Sequence, residues 1–372
     1  MVKTGTRRIA PPRRLLYGPG PGMVDPRVYE ALSQPVVGLR DAYFLEVLRE
    51  IQAGLREVFG TASEKIFLVP ASGSGGMQAA ADNFVEAGSK FLIFSAGLFA
   101  ERLATMADRR GAKVVRVEKP WGEVFTEKEA QEAIEREKPD TVAFVQAETS
   151  TGAYQSGRRI APWARAAGAL VIADCVASLG AMPVELDAVG IDIAFSCTQK
   201  GLSCPAGLSP LAVSPRAWER LAARSEAPST WYFDLKLMVN YFQPPHTYQH
   251  TPSPPLYYAI HQGLAAIEEE GLQERWKRHQ RANERLIHGF DRLGFEPLVK
   301  KAENRIWHLT TVVPPAGVDE AKLRQDLLDK FDIEVASGLG HLAGKILRIG
   351  TMGPLATDAS VDSLLEALEA CL

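Results

Sequence analysis

Hydrophobic and polar positions follow two alternating periods between residue 65 and about residue 215. Short runs rich in Val, Ile and Phe, typical of buried strands, alternate with segments whose apolar residues recur every three to four positions, typical of helices. The strand-like runs are 65–71, 90–96, 113–119, 141–148 and 169–176, and the helix-like segments are 77–88, 99–111, 126–138 and 159–168. This alternation predicts a mostly parallel sheet with helices on both faces. Two more strand-like runs, 192–198 and 208–214, follow each other without a helix, which predicts a mixed sheet.

The pattern changes after this region. Residues 226–255 are rich in proline and aromatic residues and have no clear period, so we predict a long structured loop, and loops of this length usually serve function. Residues 271–294 predict one long amphipathic helix, after which strands and helices alternate in a small α/β unit. The predicted organisation is an arm and loop over residues 1–22, a large domain over 23–265 and a small domain over 266–372.

Charge and composition exclude several classes of function. The 42 basic and 45 acidic residues leave a net charge of -3, which gives no basic field for nucleic acid. The longest apolar stretches are shorter than the roughly 20 residues of a membrane-spanning helix. Cysteines occur in neither zinc-site nor disulfide spacing, and no signal peptide is evident, so we expect a protein of the reducing cytoplasm. These cysteines are Cys175, Cys197, Cys204 and Cys371. The basic start of the chain, with Lys3, Arg7, Arg8, Arg13 and Arg14, is expected to form an arm that lies on a partner subunit.

Four polar features follow predicted strands, at the sheet edge where open α/β folds bind ligands. The segment 70–80 follows a predicted strand, opens a helix and presents N–H groups and a positive helix end to an anion. ETSTG at 148–152, Asp174 and Lys200 follow three other strands. Each alone fits an ordinary role as a turn, a cap or a solvated charge. A phosphate cradle, a carboxylate and an amine together are what pyridoxal 5′-phosphate requires, because it carries a phosphate, a protonated ring nitrogen and an aldehyde that condenses with lysine.

Six segments carry a family resemblance: LLYGPGPGMV, SGSGGMQAA, ETSTG, residues 173–208, YQHTPSPPLYYA and GKILRIGTMG. In this order they resemble the class V aminotransferases of fold type I, close to the alanine/serine-glyoxylate (serine-pyruvate) aminotransferases. The resemblance implies a large domain with a mixed, mostly parallel seven-stranded sheet and a small C-terminal α/β domain. It also implies a pyridoxal-phosphate-dependent homodimer whose active sites are shared between subunits.

The resemblance also implies roles for individual residues in binding the cofactor. Lys200 matches the lysine that bonds to the cofactor aldehyde and moves the substrate proton, and Asp174 matches the partner of the ring nitrogen. Ser150 matches a ligand of the ring hydroxyl or of the Asp174 network, and it also borders the substrate. Phosphate ligands are expected at Ser74, Gly75, Gly76 and Gln199, ring contacts at Phe99 and Val176, and ligands from the other subunit at Tyr248 and Thr251.

Substrate recognition is implied at two further places. Arg348 matches the residue that binds the substrate carboxylate through two parallel hydrogen bonds, and Gly20 lies in the loop 18–22 that matches the lining of the substrate pocket. Gly76 and Phe99 stand where animal alanine-glyoxylate enzymes carry histidine and tryptophan, so the exact substrates stay open. We expect transfer of an amino group from alanine or serine to glyoxylate or pyruvate by a ping-pong mechanism, with 2-aminoethylphosphonate as an alternative donor.

Three other classes compete with this interpretation. In a nicotinamide dehydrogenase, counting from Gly73 and Gly75, the third glycine of the dinucleotide turn should stand at 78, which is Gln78, and no acidic residue ends the next strand. A cysteine desulfurase needs a nucleophilic cysteine late in the chain, but none stands between Cys204 and Cys371. A non-catalytic relative would have little reason to keep Lys200, Asp174 and Arg348 together.

Overall fold

The computed structural model describes residues 9–372. Lys3, Arg7 and Arg8 of the predicted arm lie outside the described residues. None of the helices in the described range is both long enough and apolar enough to cross a membrane.

Helices and strands are numbered in chain order. The helices are α1 Pro26–Leu32, α2 Ala42–Phe59, α3 Gly73–Phe84, α4 Leu98–Arg109, α5 Glu127–Glu137, α6 Ala161–Ala166, α7 Leu186–Val189, α8 Pro215–Ala223, α9 Leu235–Phe242, α10 Pro254–Glu270, α11 Leu272–Arg292, α12 Glu320–Phe331 and α13 Asp358–Glu369. The strands are β1 Leu15–Leu16, β2 Ile66–Val69, β3 Lys90–Ser95, β4 Lys113–Glu118, β5 Thr141–Val145, β6 Ala147–Glu148, β7 Ala153–Tyr154, β8 Leu170–Asp174, β9 Ile193–Phe195, β10 Ser209–Val213, β11 Glu296–Pro297, β12 Leu309–Val313, β13 Ile333–Glu334, β14 Ala336–Ser337 and β15 Leu347–Gly350.

The main sheet has seven strands in the order β2-β10-β9-β8-β5-β3-β4. From β4 to β9 all neighbours are parallel, whereas β10 is antiparallel to both β9 and β2. The predicted mixed, mostly parallel sheet is therefore confirmed. Every residue of β5 and β8 is buried, because helices cover both faces, and this explains why these strands read as continuous apolar runs.

A second sheet, in the order β11-β12-β15-β14, is antiparallel and forms the later part of the chain. Its apolar cluster includes Leu286 and Phe290 of α11, Leu347 of β15 and Leu364 of α13, and it is separate from the large cluster around the main sheet. The long helix predicted at 271–294 is confirmed as α11. The domain boundaries stay a prediction; residue 265, where the large domain was expected to end, lies within α10.

Three details differ from the sequence-based expectations. The region 226–255 contains α9, whose buried Leu235, Met238 and Tyr241 have helical spacing that the surrounding prolines and aromatic residues obscure. The described part of the arm contacts its own chain, since β1 pairs with β13. Strand β9 ends at Phe195, so a short turn separates Lys200 from it.

Candidate active site

A cavity of about 150 Å³ opens where β8 and the turn after β9 meet the start of α3. This is the edge formed by the carboxyl ends of the parallel strands, as the sequence predicted. The cavity brings together residues that are far apart in the chain. Its lining consists of Ser72, Gly73, Ser74, Met77, Phe99, Arg102, Val145, Ala147, Thr149, Asp174, Val176, Ala177, Gln199 and Lys200.

Lys200 reaches the cavity from a mostly buried position. Burial lowers the pKa of its ammonium group, and the nearby positive charge of Arg348 lowers it further. The Nζ atom donates a hydrogen bond to the carbonyl oxygen of Pro19. Gly20 has φ +121°, and a Cβ at this position would collide with the Lys200 side chain. The loop 18–22 therefore contacts Lys200 directly, and the positive φ favours glycine at residue 20.

Asp174 ends β8 inside the same cavity. Its Oδ1 accepts a hydrogen bond of 2.8 Å from the N–H of Val176. Burial raises the pKa of the carboxyl to about 7, and the negative charge of Glu148 acts in the same direction. The ionised carboxylate is thus poorly compensated within the chain. A cationic ring nitrogen next to Asp174 would stabilise its charged form.

The start of α3 offers an anion site. The N–H groups of Gly73 and Ser74 have no hydrogen-bond partner among the described residues, and no side chain caps this helix end. Gln199 also lines the cavity, and its side-chain amide N–H groups, not its buried Oε1, are the ones that could donate to an anion, so its role as a phosphate ligand stays a prediction. Unpaired donors at a helix N-terminus, a carboxylate and an amine therefore fit the three polar parts of pyridoxal 5′-phosphate.

Gly75 and Gly76 lie in the first turn of α3, outside the lining of the cavity. Their N–H groups already donate to the carbonyl oxygen of Ser72, at 2.8 and 3.3 Å, and neither residue lines the cavity. A Cβ on Gly76 would collide with Ser209 of β10, so this residue faces the sheet. The roles of Gly75 and Gly76 as phosphate ligands stay a prediction.

Ser150 is also turned away from the cavity. Its Oγ donates to Glu148 at 2.6 Å and accepts the N–H of Leu98 at 3.0 Å, while its neighbour Thr149 lines the cavity. Glu148 in turn accepts the N–H of Phe99 at 3.0 Å. Burial raises the pKa of the Glu148 carboxyl. This buried pair satisfies the first N–H groups of α4 and so fixes the position of Phe99. The structure does not bring Ser150 to the cofactor or substrate position, and its role there stays a prediction.

Arg348 lies in β15, with only 8% of the residue exposed. Its Nε donates to the carbonyl oxygen of Ser337 at 2.7 Å, and its Nη1 donates to that of Thr149 at 3.3 Å. Nη2 makes no hydrogen bond within the described residues. Because Thr149 lines the cavity, the guanidinium is held beside it with one edge available for a ligand.

Two predicted ligands lie outside this cavity within one chain. Tyr248 is 44% exposed, and Thr251 is exposed as well. Neither residue lines the cavity. The prediction that they serve the site of another subunit is untested by the structure of a single chain.

Sequence reasoning missed two residues of the site. Arg102 lines the cavity one turn into α4, and its spacing of three from Phe99 was the available signal. Glu148 belongs to the ETSTG segment, but a carboxylate at the end of a strand gives no indication that it binds the start of a neighbouring helix.

The fold and the site together define a pyridoxal-phosphate-type enzyme of fold type I. The family model "Aminotransferase class-V" matches residues 29–364, and the chain belongs to this family of aminotransferases. It is 34% identical over 361 residues to the alanine–glyoxylate aminotransferase of Drosophila melanogaster. The aligned region covers 96% of this chain and 92% of the relative.

Two solved structures are similar over nearly the whole chain. The alanine–glyoxylate aminotransferase of Nostoc sp. has a TM-score of 0.97 and 42% identity, covering 99% of this chain and 98% of that chain. The ureidoglycine–glyoxylate aminotransferase of Bacillus subtilis has a TM-score of 0.96 and 36% identity, covering 98% of this chain and 94% of that chain. The expectations of a class V aminotransferase and of fold type I are thereby confirmed.

Proposed function

We propose that this enzyme transfers the amino group of a small amino acid, alanine or serine, to glyoxylate or pyruvate, with pyridoxal 5′-phosphate bound in the Lys200 cavity. The observation that carries the proposal is the convergence of the Lys200 amine, the Asp174 carboxylate and the free N-terminus of α3 in one cavity. Relatives named alanine–glyoxylate and ureidoglycine–glyoxylate aminotransferases support glyoxylate as the acceptor.

Each residue has a definite task in this proposal. The bound cofactor supplies an electron sink for negative charge at the substrate α-carbon. Asp174 holds the proton on the ring nitrogen, and Lys200, whose lowered pKa favours the neutral amine, removes the proton from the α-carbon. Arg348 binds the α-carboxylate through its available edge. The reaction runs in two halves, first with the amino donor and then in reverse with the keto acid.

A panel of single half-reactions tests the proposed function. Purified enzyme loaded with pyridoxal phosphate is mixed with alanine, serine or 2-aminoethylphosphonate, and formation of the pyridoxamine form is followed by absorbance. We expect fast conversion with alanine or serine. Conversion by 2-aminoethylphosphonate alone would favour the alternative donor class, and no conversion by any amine would refute the proposal.

Arg348→Leu is expected to weaken binding of the amino acid by about 2–5 kcal/mol, as for a broken buried charge pair. The Michaelis constant should rise, while cofactor affinity stays near that of the wild type because Arg348 lies beside the cavity and not in its lining. Arg348→Lys keeps the charge but not the forked geometry and should recover only part of the loss. Steady-state kinetics measure the effect, and unchanged Michaelis constants would contradict the assigned role.

A homodimer completes the proposal, with Tyr248 and Thr251 of each chain serving the phosphate of the other. Several large aromatic side chains are strongly exposed in the single chain, among them Tyr29, Tyr43 and Trp231 at 59%, 63% and 61%. Burial of such side chains is a usual feature of interfaces.

Mixing Lys200→Ala with Tyr248→Ala chains should restore activity by forming one intact shared site. Failure of every mixture to exceed its components would contradict shared sites.

We also propose that the enzyme works in the cytoplasm. The structure contains four free cysteines, which supports a reducing compartment. Three of them, Cys175, Cys197 and Cys204, are buried.

A further inference from the structure

Arg102 lines the cavity and contacts both the Phe99 ring and Ser74 at the start of α3. It follows Phe99 by three positions in α4, so the two side chains share one side of the helix. Its guanidinium carbon is 4.8 Å from the centre of the Phe99 ring, and its Nη1 donates to Ser74 Oγ at 2.9 Å. Phe99 and Ser74 both line the cavity. One cation therefore contacts two cavity-lining groups that come from different helices.

The contact with Ser74 determines which way its hydroxyl can bond. A serine hydroxyl has one donor and two acceptor sites. Because the Arg102 N–H already occupies an acceptor site, the O–H of Ser74 remains as a donor toward the cavity. The unpaired N–H groups of Gly73 and Ser74 are donors at the same helix end. All of these groups favour an anion.

Charge gives a second, independent reason. Among the residues that line the cavity, Arg102 and Lys200 are the cations and Asp174 is the carboxylate. Lys200 is assigned to the aldehyde and not to the phosphate. Arg102 is then the cationic side chain of the lining that remains to offset a phosphate dianion.

We propose that Arg102 is a positioning residue of the cofactor site, which holds the Ser74 hydroxyl as a phosphate donor and supports the Phe99 ring. The inference rests on the proposed pyridoxal phosphate chemistry. Arg102 would thereby contribute both to binding the phosphate, through Ser74, and to positioning the Phe99 ring. Its main effect should therefore depend on the phosphate group of the ligand.

Comparing the binding of two ligands, with and without a phosphate, to the wild type and to an Arg102 variant tests this role. The affinities of cofactor-free wild type and Arg102→Leu for pyridoxal phosphate and for pyridoxal, which lacks the phosphate, are measured by equilibrium dialysis. We expect the variant to lose about 10- to 100-fold in affinity for pyridoxal phosphate, the range for hydrogen bonds that involve a charged group. The loss for pyridoxal should be only about two- to fivefold, from the weakened Phe99 contact.

A double-mutant cycle tests whether Arg102 affects phosphate binding through Ser74. In a Ser74→Ala background, Arg102→Leu should cause a smaller phosphate-dependent loss than in the wild type, because only the charge of Arg102 can then act on the phosphate. Arg109→Leu provides a matched control, because Arg109 is an exposed arginine at the other end of the same helix, and it should leave both affinities unchanged. Equal losses for the two ligands, or no loss for either, would overturn the inference. Failure of the wild type to bind pyridoxal phosphate would instead overturn the proposed function.

Discussion

Lys200→Ala is expected to reduce the rate of amino transfer by at least about 10⁴-fold, because it removes both the covalent link to the cofactor and the base for the α-proton. Burial lowers the pKa of the Lys200 ammonium group and so favours the neutral amine, and no other lysine lines the cavity. Borohydride reduction followed by peptide mass spectrometry measures the link directly. In the wild type the cofactor should be fixed to the peptide that contains Lys200, and in the variant no lysine should be labelled.

Two controls separate loss of the amine from loss of the fold. Lys322→Ala removes a lysine whose side chain is 69% exposed and should retain wild-type labelling and turnover. Added methylamine should partly restore proton transfer in Lys200→Ala, since a small amine fits the space left by the side chain. Labelling of another lysine with undiminished turnover would contradict the assignment of Lys200.

The main sheet could be predicted because its strands are buried on both faces. Strands such as β5 and β8 consist entirely of buried residues, so their apolar character is visible without knowledge of their neighbours. The carboxyl ends of parallel strands share one edge, and this placed Asp174 and Lys200 together. Helix α9 escaped prediction because its eight residues give little more than two turns of periodicity.

The finer arrangement of the site depends on contacts that no local pattern records. The Lys200 amine bonds Pro19, which is 181 positions earlier in the chain, and only the packing of the N-terminal loop reveals why residue 20 is glycine. Whether Ser150 faces the cavity or Glu148 depends on where the start of α4 lies. A strand-end motif gives the residues of such a site but not the direction of each side chain.

Asp174→Asn is expected to abolish amino transfer and also to make the cofactor-free protein more stable at alkaline pH. The folded protein raises the pKa of this carboxyl from 3.8 to about 7. The folded state therefore binds the proton more tightly than the unfolded state between these values. The stability that this group contributes is fully present below its unfolded pKa and is lost as the pH rises through about 7. Asparagine is neutral at every pH and removes this loss.

The measurement is the free energy of unfolding of cofactor-free wild type and Asp174→Asn at pH 4 and pH 8. The amide introduces its own hydrogen-bonding change, but this contribution is the same at both pH values and cancels in the difference. Relative to wild type, the variant should gain about 2–4 kcal/mol between pH 4 and pH 8, since each pKa unit corresponds to about 1.4 kcal/mol.

Asp362→Asn provides a control of opposite sign. Its hydrogen bond with Arg285 lowers the pKa of the Asp362 carboxyl, so this group stabilises the protein at high pH and loses that contribution as the pH falls. Because this contribution is lost mainly below pH 4, the Asp362 variant should lose stability relative to wild type as the pH rises to 4 and change little from pH 4 to pH 8, whereas the Asp174 variant gains stability over that second range. A flat difference for Asp174→Asn would mean that the cavity hydrates its carboxylate well, and the proposed dependence of Asp174 on a cationic ring nitrogen would then lack its physical basis.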